Sequence, residues 1–152
     1  LPDLPPPGRA AAARRFLAGQ EIGAEEAEAI AAETLAILDD PAFAPLFAPG
    51  SLAEAPIVGR IGARAVNGTV DRLAVTDAAV LVADYKTNRP PPARVEDVAP
   101  LYLRQMAAYR AVLRGIFPRR SVNCALVWTY AARLMPLPDG LLDAHAPDAG
   151  EG

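Results

Sequence analysis

Three short patterns in this chain hold residues able to do hydrolytic chemistry, and they come in a fixed order. They are Gly68-Thr69-Val70-Asp71, then Asp84-Tyr85-Lys86, then Gln105-Met106-Ala107-Ala108-Tyr109. Side chains alternate across a β-strand, so Asp84 and Lys86 share a face and Tyr85 takes the other. If Asp71 lies on the neighbouring arm of a hairpin, its carboxylate converges with that of Asp84. Two converging carboxylates suit Mg²⁺ or Mn²⁺, hard cations that keep several of their own waters. Such an ion stabilises charge on a phosphate and lowers the pKa of an attacking water. An ammonium group beside that water holds it or stabilises the developing charge, which is the part expected of Lys86. Gln105 and Tyr109, four residues apart on one helix face, would border the same site and meet a phosphate or bound water. Gly68 fits too, because a strand glycine often marks a close approach.

The lysine is singled out by composition. The chain has fourteen arginines and one lysine, Lys86. Where Arg has taken nearly every basic position, the remaining Lys points to a task that needs a compact ammonium. Each motif alone is weak: a strand-end Asp is commonly a cap, and a D-x-K arises by chance. Their order, the hairpin spacing and the single lysine carry the reading together.

The elements that must position these residues follow from apolar periodicity. Residues 1–8 are Pro-rich and read as a linker; residues 9–19 read as a short helix closed by Gly19. Residues 24–38 make a helix with Glu25, Glu26 and Glu28 at the favourable end of its dipole. Residues 41–50 read as a turn or one-turn helix. Strands are expected at 54–61, with Pro56 placing it at a sheet edge or start, and at 65–75 and 80–86. A tight turn at 76–78 joins the last two. A Pro-rich loop at 87–99 precedes a helix from Pro100 to about Phe117. Strands at 122–129 and 133–137 complete a core spanning 9–143, and 144–152 read as a disordered tail. The order helix, helix, three strands, helix, two strands gives an α/β fold with a mixed sheet flanked by helices.

With 152 residues the chain fits one domain. No apolar run approaches the ~20 residues of a membrane span, and the N-terminus has no signal-peptide pattern. A single cysteine, Cys124, excludes an internal disulfide and any multi-cysteine metal cluster, and a reducing cytoplasm is the expected location. The net charge of −3 argues against a free-standing basic DNA binder. It is compatible with a module whose clustered carboxylates hold metal and to which neighbours deliver DNA. No G-x-x-x-x-G-K-[ST] loop is present, so ATP would serve only motor domains elsewhere in a parent chain. Trp128 and Cys124 read as core.

The three motifs in order resemble the PD-(D/E)xK nucleases in their RecB-like branch, where a GxxD strand precedes a DxK strand and a QxxxY helix. Residues 83–90 and 102–110 are similar to the AddA-type helicase–nucleases of bacterial double-strand-break repair. The resemblance covers nearly the whole chain and implies a restriction-endonuclease-like sheet. It implies Asp71 and Asp84 as metal ligands, Lys86 as the third catalytic residue, and Gln105 and Tyr109 in support. It further implies single-stranded DNA from a helicase as substrate and an AddB-like partner subunit. The same resemblance implies Glu54 as a supporting acidic residue near the metal, with a surface strand-start Glu as the other reading, and Arg89 reads either as a DNA-phosphate contact or as a solvated side chain. The family carries a metal-binding His on a helix before the first strand. Here the sole His, His145, lies beyond the motifs and reads as a surface residue, so the His helix is expected upstream of Leu1. A nuclease-fold domain that binds DNA or a subunit without hydrolysis is the alternative.

Overall fold

The computed structural model describes residues 4–20, 22–131 and 133–148. A five-stranded mixed sheet runs in the order β1 (Leu52–Ile61), β2 (Arg64–Val75), β3 (Ala79–Lys86), β4 (Ser121–Trp128) and β5 (Arg133–Leu137). Every neighbouring pair is antiparallel except β3 and β4, which are parallel and joined by the crossover helix α3 (Pro100–Ile116). Of the two placements expected for the Pro56 strand, the edge is observed.

In β3 the alternation sorts side chains between two cores. Val80 and Val82 pack with Val122, Cys124, Leu126 and Trp128 of β4 under α3. Leu81 and Ala83, with Ala125 and Val127, face the other way. There they meet Ile37 and Leu38 of α2 (Ala24–Leu38) and the short 3₁₀ turn Ala44–Phe47. Asp84 and Lys86 continue the α3-facing series, while Tyr85 packs against the α2 side. The largest buried side chain, Trp128, donates its indole N–H to Met135 Sδ at 3.4 Å. Burial pushes the Cys124 thiol up to about 12, so it behaves as a small hydrophobe and not as a nucleophile.

Two glycines let α3 sit close to the sheet. A Cβ on Gly59 would lie 2.6 Å from Val112 Cγ1, and one on Gly68 would lie 2.1 Å from the Tyr109 hydroxyl. Neither position has room for a larger residue unless α3 shifts.

The termini differ from the sequence expectation. Helix α1 spans Pro6–Leu17, so residues 6–8 of the expected linker are helical. Proline is tolerated in a first helical turn because its missing N–H has no partner there to lose. The helix is anchored by buried Arg9, which donates to Leu38 O and Phe47 O and pairs with Asp39. The last carbonyls of α2 thus receive a cation, as its dipole favours.

At the other end an unforeseen helix, α4 (Asp139–Asp143), docks on α3. Arg110, only 2% exposed, reaches Asp139 Oδ1 at 2.8 Å and Asp143 Oδ1 at 2.5 Å. An arginine buried this deeply needs such partners. Of the tail expected to be disordered, residues 144–146 continue from α4 through turn hydrogen bonds. Residues 149–152 of that tail lie outside the described residues. The expected loop at 87–99 is present and contains a short 3₁₀ turn, Val95–Asp97. Among the described residues no helix is long and apolar enough to cross a membrane.

Candidate active site

The site begins where two strands part. The β2–β3 ladder pairs Val75 with Val80 through Arg72 with Ala83 and goes no further. Beyond it, β3 stays in register with β4 as far as Lys86 and Trp128. Backbone N–H groups at such a split need other acceptors. The two aspartates provide them reciprocally: Tyr85 N donates to Asp71 Oδ2 at 2.7 Å, and Asp71 N donates to Asp84 Oδ1 at 3.4 Å. Each carboxylate therefore takes the place of a ladder carbonyl and is held by the main chain of the opposite strand.

Burial and a neighbouring carboxylate act on Asp71 in the same direction. The Asp71 carboxyl is raised above its ordinary value, first by partial burial and then by its contact with Asp84. The Tyr85 N–H and the Lys86 ammonium oppose that rise. Two oxygen-donor carboxylates whose mutual repulsion a cation would relieve are a donor set that fits a divalent metal ion, with Asp71 and Asp84 as its ligands. Among the described residues no group of three or more His, Cys, Asp or Glu side chains is placed to hold a metal, so these two would be supplemented by water and substrate oxygens.

Lys86 closes the arrangement. Its Nζ lies 2.7 Å from Asp84 Oδ2 and 3.2 Å from Gln105 Oε1, and 4.3 Å from the centre of the Tyr102 ring. The Asp84 and Lys86 side chains are 8% and 12% exposed. Burying such a pair costs desolvation that its attraction seldom exceeds, so stability alone is a poor reason for it. Gln105 Nε2 then donates to the Tyr109 hydroxyl at 3.2 Å. Because an ammonium only donates, Lys86 fixes which way the Gln105 amide points. The Tyr109 oxygen accepts from Gln105, and its own proton remains free to donate to an incoming group.

The structure thus brings Asp71, Asp84, Lys86, Gln105 and Tyr109 into one hydrogen-bonded chain. Glu54 is not part of it. The β1–β2 register sets Glu54 opposite Asp71, yet that pair is skipped in the ladder. Glu54 has φ of +50° and an exposed side chain. Arg89 lies past the end of β3, its guanidinium 4.6 Å from the Tyr130 ring centre. His145, expected on the surface, is half-buried, with Nδ1 2.9 Å from Leu141 O. Tyr102 went unnoticed in the sequence. It lies three residues before Gln105 on α3, beneath the Lys86 ammonium, and its hydroxyl donates to Asn88 Oδ1 at 3.1 Å. The signal was there, since positions i and i+3 of a helix share a face.

A solved structure of a candidate exonuclease from Eubacterium rectale is similar, with 13% identity and a TM-score of 0.47. The match covers 90% of this chain and 60% of that one, so the present chain spans less than two thirds of that chain's length. No curated protein matches the chain. The family model of the PD-(D/E)XK nuclease superfamily matches residues 7–132, a stretch that runs from α1 past the end of β4 and holds all five residues of the site, and the chain belongs to that superfamily.

Proposed function

We propose that this chain hydrolyses phosphodiester bonds of DNA at the Asp71–Asp84–Lys86 centre. The observation that carries the reading is the split ladder, where two carboxylates meet beside the sole ammonium of the chain. Asp71 and Asp84 would hold Mg²⁺ or Mn²⁺, which when bound supplies Lewis-acid stabilisation of the phosphate and a more acidic water. The residues of the chain do the rest. Lys86 places a positive charge where negative charge builds on the attacked phosphate. Gln105 keeps that ammonium in position, and the Tyr109 hydroxyl donates to a phosphate oxygen. Tyr102 lies against the ammonium through its ring face and limits the room for water around it.

We further propose, from the likeness of residues 83–90 and 102–110 to AddA-type enzymes, a role in bacterial double-strand-break repair. There the chain would cut single strands delivered by helicase domains, in the cytoplasm and beside an AddB-like subunit. ATP would be used by the motor domains alone. A second reading, a nuclease-fold module that binds DNA or a subunit without cutting, is favoured by one observation. Only two acidic ligands converge among the described residues, and no third side chain joins them.

The two readings part in a cleavage assay on end-labelled single-stranded DNA. Hydrolysis is expected with Mg²⁺ or Mn²⁺ and not with EDTA, and Asp84→Asn is expected to remove it. DNA retained but uncut under all conditions would support the docking module instead.

A further inference from the structure

From the geometry we infer a second binding element, a subsite for the backbone phosphates that flank the scissile one. It rests on the nuclease reading above and extends it from the bond cut to the strand that carries it. A cleft of about 550 Å³ opens between the first half of β2, one side of α3 and residues 145–148. Gln105 and Tyr109 form part of its wall, and Gln105 is also bonded to Lys86. Gln105 is therefore shared between the cleft wall and the hydrolytic centre.

The cleft is lined by two exposed arginines, Arg64 at the start of β2 and Arg104 on α3. Half of the other twelve arginines are engaged with carboxylates or buried main-chain carbonyls. Arg14, Arg94, Arg110 and Arg114 pair with carboxylates, and Arg9 and Arg72 donate to buried main-chain carbonyls. Arg64 and Arg104 form no ion pair or hydrogen bond among the described residues, although Asp148 also lines the cleft. Asn67 and His145 add further polar groups to the same walls. Two uncommitted guanidiniums on one cleft, whose wall includes the Gln105 and Tyr109 of the hydrolytic centre, fit successive phosphates of a single strand. Arginine binds phosphate through paired N–H donors. On a chain of net charge −3, such a local positive site is also what would draw an anionic strand to the centre.

The test compares Arg64→Gln/Arg104→Gln with a charge-matched control, Arg15→Gln/Arg119→Gln, whose arginines lie outside the cleft. Two substrates are used, a single-stranded 12-mer and bis(4-nitrophenyl) phosphate, which has no flanking phosphate. In the cleft variant kcat/KM for the 12-mer, divided by that for the small diester, is expected to fall at least about tenfold. The slope of log KM against log salt is expected to lose about 1.4, the share of two single-strand phosphate contacts. An equal effect in the control variant, a parallel loss on both substrates, or no change would overturn the subsite. If the wild-type chain cuts neither substrate, the hydrolytic reading fails on its own. Anisotropy of the labelled 12-mer then decides the cleft: binding weakened about tenfold in the cleft variant alone supports it, and equal binding in all three proteins overturns it.

Discussion

Lys86→Met is expected to slow strand cleavage by about 10²–10³-fold, the usual cost of removing one group that stabilises transition-state charge. The loss should appear in single-turnover rate at saturating DNA, since the ammonium acts on charge that develops only during reaction. Lys86→Arg is expected to recover little. The ammonium fits between Asp84 Oδ2 at 2.7 Å and Gln105 Oε1 at 3.2 Å with the Tyr102 ring beneath it, and a planar guanidinium is longer and wider than that space. The methionine variant also leaves the Asp84 carboxylate with little solvent and one cation fewer. Its stability without metal should fall by about 1–3 kcal/mol, and saturating Mg²⁺ should restore part of that. A variant that cut DNA at the wild-type rate would remove Lys86 from the mechanism.

Gly68→Ala is the second large effect, and it reaches the site through packing. The added Cβ would lie 2.1 Å from the Tyr109 hydroxyl and 2.8 Å from two ring carbons, so the whole ring must move and not only its tip. Tyr109 is 6% exposed and belongs to the core beneath α3, which leaves it no easy route. Overpacking of this kind costs about 1–3 kcal/mol. Displacing Tyr109 breaks its bond with Gln105 and loosens the hold on Lys86, and misplacement of about 1 Å near reacting groups can cost 10²-fold in rate. A double-mutant cycle separates packing from chemistry. Gly68→Ala/Tyr109→Leu should regain stability over Gly68→Ala while activity stays low. Gly115→Ala, where an added Cβ meets nothing within 4 Å, should leave both properties near wild type.

What the sequence disclosed and what it concealed divide along the range of the forces involved. Helix α2 has the expected limits, Ala24–Leu38, and β3 and α3 lie within a residue or so of theirs, because apolar periodicity is local and these elements bury one or both faces. The placement of Asp84 and Lys86 on one face follows from strand alternation alone. The parting of β2 from β3 at Asp71 was not legible, since only coordinates show a ladder stopping and carboxylates taking over the backbone partners. Helix α4 was missed for a similar reason. Its five residues have little helical signal, and Arg110, which holds them, is 29 and 33 positions away in the chain. The first turn of α1 was read as linker because three prolines in a row look like extended chain, although a helix start tolerates them. His145 moved from surface to cleft wall with the turn that follows α4, a placement that no local pattern encodes.

Calorimetric titration with Mn²⁺ addresses the heart of this account, the claim that Asp71 and Asp84 together hold a divalent cation. Wild-type protein is expected to take up one ion, with affinity at least about tenfold weaker in both Asp71→Asn and Asp84→Asn. Binding of equal strength in the wild type and both variants, or no binding to the wild type, would contradict it.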